Sequence, residues 1–228
     1  MIFFSTVKTE HTNLTTQIKK DCKSLEPILD NILKKGLLGT PSFPSDFQSK
    51  CEIALQSKDG IIIDENLPFR KKFIDFSLSI GQILSDLKSR YKDKVIAIYH
   101  SVLLTPKFAK AYKNLDLIFI ESYWSWKSNF MLWLFFKINW HIAKKWGVLD
   151  KIVYLLGINQ NPLKFNIFKP ITWWNSIPWT NDENTLNKQL NYIKEKCPDT
   201  AGIGFYVTSS TQEYMEVVDK TVTKLYNL

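Results

Sequence analysis

Short apolar runs alternate with longer stretches of helical periodicity along most of the chain. Residues 2–7 read as a first strand. Across 14–38, apolar residues return at Ile18, Cys22, Leu25, Ile28, Leu29, Ile32 and Leu33, the spacing of one helix face, and Gly36 after Lys34 and Lys35 supplies a stop signal. A proline-bearing loop (Pro41, Phe43, Pro44) precedes a helix expected over 46–56. Strands are then expected over 60–64, 95–99, 115–121, 152–158 and 202–207. Helices are expected over 69–91, 106–112, 129–146, 184–196 and 213–226.

Strands separated by helices in this way are the pattern of βα units and a parallel sheet. Right-handed crossovers leave two closures, an open doubly wound sheet or a (β/α)8 barrel. No glycine-rich phosphate loop follows any strand, so the dinucleotide fingerprint of the open sheet is missing and no cofactor is expected. The expected fold is α/β, a (β/α)8 TIM-like barrel in a single domain over 1–228. Six strands are clear, and a seventh is expected near Leu37 or Ile171. The barrel is therefore expected to be compact or incomplete at its N-terminal end.

Two of the apolar runs end on acids. Gly60-Ile-Ile-Ile-Asp-Glu65 and Leu117-Ile-Phe-Ile-Glu121 are β-branched or aromatic strands that carry carboxylates to their C-terminal ends. In barrel enzymes that rim holds the chemistry, and two carboxylates are the minimum set for acid/base cleavage of a glycosidic bond. Glu121 shares a strand face with Leu117, Phe119 and Tyr123. Either Asp64 or Glu65 points inward, and periodicity leaves that choice open; the outward one would cap the next element.

Other rim candidates are Tyr99 and His100 at the end of the 95–99 run, and Tyr206 at the end of the last strand. His100 fits a substrate contact or proton shuttle, and equally a histidine satisfied by a loop carbonyl. Tyr123, Trp124 and Trp126 follow Glu121 in a loop that would cross the cleft mouth. Trp173, Trp174 and Trp179 lie in a long segment rich in proline and asparagine, 159–184, of the kind that carries binding on a rigid scaffold. These aromatics suit stacking on sugar rings. His141, inside an expected helix, reads as structural.

Composition narrows the partners. The chain has 228 residues, with 45% hydrophobic and 14% aromatic content, which excludes a mostly disordered protein. Its net charge of +8 comes from scattered lysines such as Lys19, Lys20, Lys71, Lys72, Lys144 and Lys145, without a nucleic-acid-binding motif, so no nucleic acid partner is expected. Cys22, Cys51 and Cys197 form no disulfide framework, and His11, His100 and His141 have no partner at zinc spacing. No metal is expected in the leading reading. A weaker one uses Asp64, Glu65 and His100 as metal ligands. The start Met-Ile-Phe-Phe-Ser has no signal-peptide pattern, so a cytoplasmic location is the default. The apolar stretch 130–140 is interrupted by Lys137 and too short to span a bilayer; a buried amphipathic helix is expected there.

The run Asp59-Gly-Ile-Ile-Ile-Asp-Glu65, the strand ending at His100, the run Leu115-Asp-Leu-Ile-Phe-Ile-Glu-Ser-Tyr-Trp124 and the closing Gly202-Ile-Gly-Phe-Tyr-Val-Thr208 together resemble the glycoside hydrolase family 114 and spherulin-4-like barrels. The resemblance implies a TIM-barrel glycosidase with Asp64 and Glu121 as the acidic pair and Glu65 beside them. It implies an oligo- or polysaccharide substrate, and the alternative is a noncatalytic carbohydrate-binding barrel. The family's Asn-Pro-Gly-like element after the 95–101 strand is absent here. A chain of charge +8 suits a neutral or acidic glycan better than the cationic galactosamine polymers of that family.

Overall fold

Eight strands close into a barrel in chain order, β1 (Ile2–Lys8), β2 (Leu14–Ile18), β3 (Lys23–Ile28), β4 (Gly60–Asn66), β5 (Val95–Ser101), β6 (Leu117–Glu121), β7 (Ile152–Ile158) and β8 (Gly202–Val207). The computed structural model describes residues 2–8, 14–18, 23–28, 46–66, 71–101, 103–122, 127–158 and 183–207. From β3 through β8 and on to β1 every pairing is parallel. β2 runs antiparallel to both β1 and β3 and fills the slot between them.

The described helices are α1 (Phe47–Ser57), α2 (Lys71–Arg90), α3 (Pro106–Ala111), α4 (Asn129–Leu132), α5 (Ile138–Trp146) and α6 (Glu183–Lys196). Most expected elements are therefore present within a few residues. The expected final helix over 213–226 and the expected strand near Leu37 or Ile171 lie outside the described residues.

The helix expected over 14–38 is corrected: its first half forms β2 and β3. A helix running through Pro27 would lose a backbone bond there and clash with the preceding turn. In β3 the proline stands opposite Ile62 of β4 and beyond the last pairing with β2, at Thr16–Leu25. There it has a sheet neighbour on one side only, where proline is tolerated. At the N-terminal end of the barrel β1, β2 and β3 pair antiparallel in place of βα units.

Alternation along each strand sorts the core into two clusters. Leu25, Ile62, Ala97, Tyr99, Phe119, Val153 and Leu155 pack together inside the barrel. Ile61, Ile63, Ile96, Ile98, Ile118 and Ile120 pack outward against helix residues such as Leu84, Phe108 and Phe136. Both faces are covered, which is why these strands read as unbroken apolar runs.

The segment expected as one helix over 129–146 contains a π-helical turn, Trp133–Lys137, between α4 and α5. There the Ile138 N–H reaches back five residues to the Trp133 carbonyl. The Phe135 carbonyl accepts from Asn139 Nδ2 at 2.6 Å, and the Phe136 carbonyl accepts from the buried Tyr154 hydroxyl at 2.7 Å. The widened turn is thus anchored to β7 by a side-chain donor. α5 stops at Gly147, whose φ of 69° and ψ of 37° lie in the left-handed region that glycine occupies without strain.

Gly60 opens β4 at a close approach: a Cβ placed there would run into the backbone carbonyl of Val95. Gly60→Ala is expected to lower stability by about 1–3 kcal/mol through overpacking, read as a drop in the urea midpoint. An unchanged midpoint would mean that β4 and β5 part at no cost.

Candidate active site

The site is built on the C-terminal ends of β4, β5 and β6. Tyr99 lies in the interior at 1% exposure, its ring tilted against its register partner Phe119 at 5.1 Å between centroids. The two rings form a floor. Glu121 follows Phe119 by two residues, so alternation sends its side chain to the same interior face, one step nearer the mouth. It is 9% exposed. The ladder continues past it, because the Ser122 N–H donates to the Leu155 carbonyl at 2.9 Å. Glu121 therefore sits on paired backbone between β5, where Ser101 is its partner, and β7, where Leu155 is.

Across β5 the other acids occur at an irregularity. Ile63 pairs with Ile98 and Asn66 with His100, so the two residues Asp64 and Glu65 stand opposite the single residue Tyr99. This is a β-bulge, a device that kinks a strand and is over-represented beside active sites. Neither residue has a one-to-one partner in β5. For Asp64, Glu65 and Tyr206 the backbone is described and the side chain is not. Tyr206 stands at the same end, on β8 between Gly157 of β7 and Thr6 of β1. The backbone positions of Asp64 and Glu121 are on the two strands flanking β5, about 10 Å apart across the sheet and about two residues apart along it, Asp64 at the level of Tyr99 and Glu121 at that of Ser101.

His100 is the expected site residue that turns away. Consecutive residues of a strand face opposite sides, and Tyr99 takes the interior, so His100 goes to the helix layer. It is fully buried, with rings of Phe108 and Tyr112 at 4.9 and 5.5 Å. Its Nε2 lies 3.1 Å from the Leu103 carbonyl oxygen and its Nδ1 3.2 Å from the Tyr112 hydroxyl. A carbonyl only accepts, so Nε2 carries the proton and Nδ1 accepts from Tyr112. Burial pulls the pKa down to about 4, opposed by the Leu103 hydrogen bond. His100 is thus a neutral packing residue, neither a proton shuttle at the mouth nor a metal ligand beside Asp64 and Glu65.

The buried thiols of Cys51 and Cys197 are pushed up to about 12 by burial and carry no nucleophile at neutral pH. His141 is exposed on α5. Tyr123, Trp124, Trp126, Trp173, Trp174 and Trp179 lie outside the described residues. Three features had no counterpart in the expectations: the bulge at Asp64–Glu65, Ser122, whose buried hydroxyl has no hydrogen-bond partner among the described residues, and the exposed rings of Phe130 and Trp133. The last pair was legible as two aromatics three residues apart, and was absorbed into an expected buried helix.

No family model matches the chain, and no curated protein does. Solved structures match it, three glycoside hydrolases among them. The glycoside hydrolase domain of PgaB (BpsB) from Bordetella bronchiseptica is 12% identical over 81% of this chain and 63% of its own, with a TM-score of 0.46. A GH18 chitinase from Pseudoalteromonas aurantia is 10% identical over 80% of this chain and 74% of its own, with a TM-score of 0.47. An endo-beta-N-acetylglucosaminidase from Cordyceps militaris is 13% identical over 72% of this chain and 53% of its own, with a TM-score of 0.43. The chain thus spans about two thirds of the PgaB domain and about half of the Cordyceps enzyme.

Proposed function

We propose that this protein is a glycoside hydrolase acting on an oligo- or polysaccharide through Asp64 and Glu121. One observation carries the reading: two acid-bearing strand ends flank β5 at the same rim of the barrel, above a floor of buried aromatic rings. Glycosidic cleavage needs an acid to protonate the leaving oxygen and a second carboxylate to attack the sugar or activate water. Two strands separated by one neighbour offer positions wide enough for a sugar to enter between such groups. The resemblance of the strand-end motifs to the family 114 and spherulin-4-like barrels agrees with this reading. Glu65, beside Asp64 in the bulge, would contact substrate, and so would Tyr206, with Tyr123, Trp124, Trp126, Trp173 and Trp174 supplying stacking faces. The positive chain selects a neutral or acidic glycan rather than a cationic one.

Incubation with soluble neutral, acidic and deacetylated amino-sugar polymers, followed by a reducing-end assay, tests the reading. Release of reducing ends is expected on a neutral or acidic polymer, and it is expected to survive a strong chelator. Binding without release would leave the noncatalytic carbohydrate-binding barrel in its place.

A further inference from the structure

The helix layer that follows β6 carries aromatic rings that the candidate site does not use. Four large apolar side chains stand out among the described residues: Ile53 at 66% exposure, Leu103 at 38%, Phe130 at 63% and Trp133 at 46%. Ile53 is alone on α1. The other three follow the ends of the adjacent strands β5 and β6, the two that hold Tyr99 and Glu121. The Phe130 and Trp133 rings are stacked, with centroids 6.1 Å apart and planes 30° from parallel.

Their height above the barrel follows from the packing below them. Phe136 meets Tyr154 edge-on at 5.1 Å, and Tyr154 is the register partner of Ile120, so Phe136 lies at the level of the rung just below Glu121. The helical segment runs from the rim downward. At a rise of about 1.5 Å per residue, Trp133 stands roughly one turn and Phe130 roughly two turns above that rung, at and beyond the level of the Glu121 carboxylate. The backbone that carries both rings is anchored: the Ser128 hydroxyl caps the first turn by accepting from the Met131 N–H at 3.2 Å, and the π-helical turn that begins at Trp133 is tied to Tyr154.

We propose that Phe130 and Trp133 form an outlying platform on which a sugar ring of a long glycan stacks outside the cleft. This rests on the glycosidase reading and extends it to the length of the substrate. Exposed aromatic faces on the helix layer, at and above the height of a carboxylate-bearing rim, fit the apolar faces of pyranose rings. A protein partner would need a far larger apolar patch than two rings and a leucine. The platform acts only on chains long enough to reach it, so it raises affinity for polymer and leaves the cleavage of short oligosaccharides untouched.

The test uses the Phe130→Ala/Trp133→Ala protein and the conservative Phe130→Tyr/Trp133→Phe protein beside the wild type. Affinity is read by retardation in native gels containing hydroxyethyl cellulose, glycol chitin or polygalacturonate, and turnover on four- to six-sugar fragments of the retarding polymer. The expected result is a loss of about tenfold in polymer affinity for the double alanine variant, the worth of one stacked ring. Unchanged turnover of the short fragments and recovery of affinity in the conservative variant are expected with it. Wild-type retardation that the alanines leave intact overturns the platform while the active site stands. A wild type that neither binds nor cleaves any of these glycans removes both readings together. A wild-type dimer that the alanines dissolve assigns the rings to a second copy of the chain and also overturns the platform.

Discussion

Glu121→Gln is expected to lower turnover of the responsive glycan by about 10^3-fold, within the range that acid/base groups contribute. The amide has the shape of the carboxylate and stays on the same paired stretch of β6, so the ladder to Ser101 and Leu155 survives. What it loses is the ability to carry charge or pass a proton, and either role in glycosidic cleavage needs one of these. Asp64→Asn is expected to do the same, and the double variant to fall little further, because groups acting as a unit are not additive. Glu65→Gln should cost less. Polymer retardation should persist in each variant, which separates lost chemistry from lost binding. Glu121→Gln retaining more than a tenth of wild-type turnover would sink the assignment. Proton NMR of the first product fixes the anomer: retention corresponds to carboxyl groups about 5 Å apart and inversion to roughly 6.5–9.5 Å.

The second large effect concerns stability. His100 titrates near 4 in the folded protein, below the 6.5 of an exposed imidazole, because burial disfavours its charged form. Between these two values the unfolded chain binds more protons than the folded one, so stability falls as the pH falls. The contribution is fully present above pH 6.5, drains away toward pH 4, and is constant below. A shift of this size corresponds to roughly 3 kcal/mol for a group wholly out of water. His100→Gln keeps a donor and an acceptor without a titrating ring. Its urea-unfolding free energy, subtracted from that of the wild type at pH 7, 5.5 and 4, should show a difference that shrinks as the pH drops. Asp46 and Glu52, whose carboxyls are held below their usual range by hydrogen bonds to Lys50 and to Gln48 and Arg90, titrate alike in both proteins and cancel. A pH-independent difference would mean that His100 is reached by water in the folded state.

Much of the barrel was legible in the chain. The runs Ile61-Ile-Ile63 and Leu117-Ile-Phe-Ile120 are apolar at every position, and only strands covered on both faces are built that way. The expected helices over 69–91 and 184–196 match α2 and α6 within a few residues. Alternation also tied Glu121 to Phe119. The misread segment was 14–38, where spacing fits a helix on local grounds and Pro27 is the only local objection.

The sequence by itself therefore determined that this chain builds a sheet of buried parallel strands with carboxylates at their C-terminal ends, because burial on both faces and acids at strand ends are written in residue type and order; the closure of that sheet into a barrel came from the fold. Only the tertiary structure decided which of Tyr99 and His100 enters the barrel, since alternation sets them on opposite sides without saying which side is inside. It alone turned 14–18 and 23–28 into strands, because the sheet between β1 and β4 closes only through two strands that supply its hydrogen bonds. It alone set Asp64 and Glu65 together opposite one residue of β5, because a bulge is a mismatch between two strands and belongs to neither sequence alone. The acids at the strand ends belong to the sequence; their common rim belongs to the closed barrel.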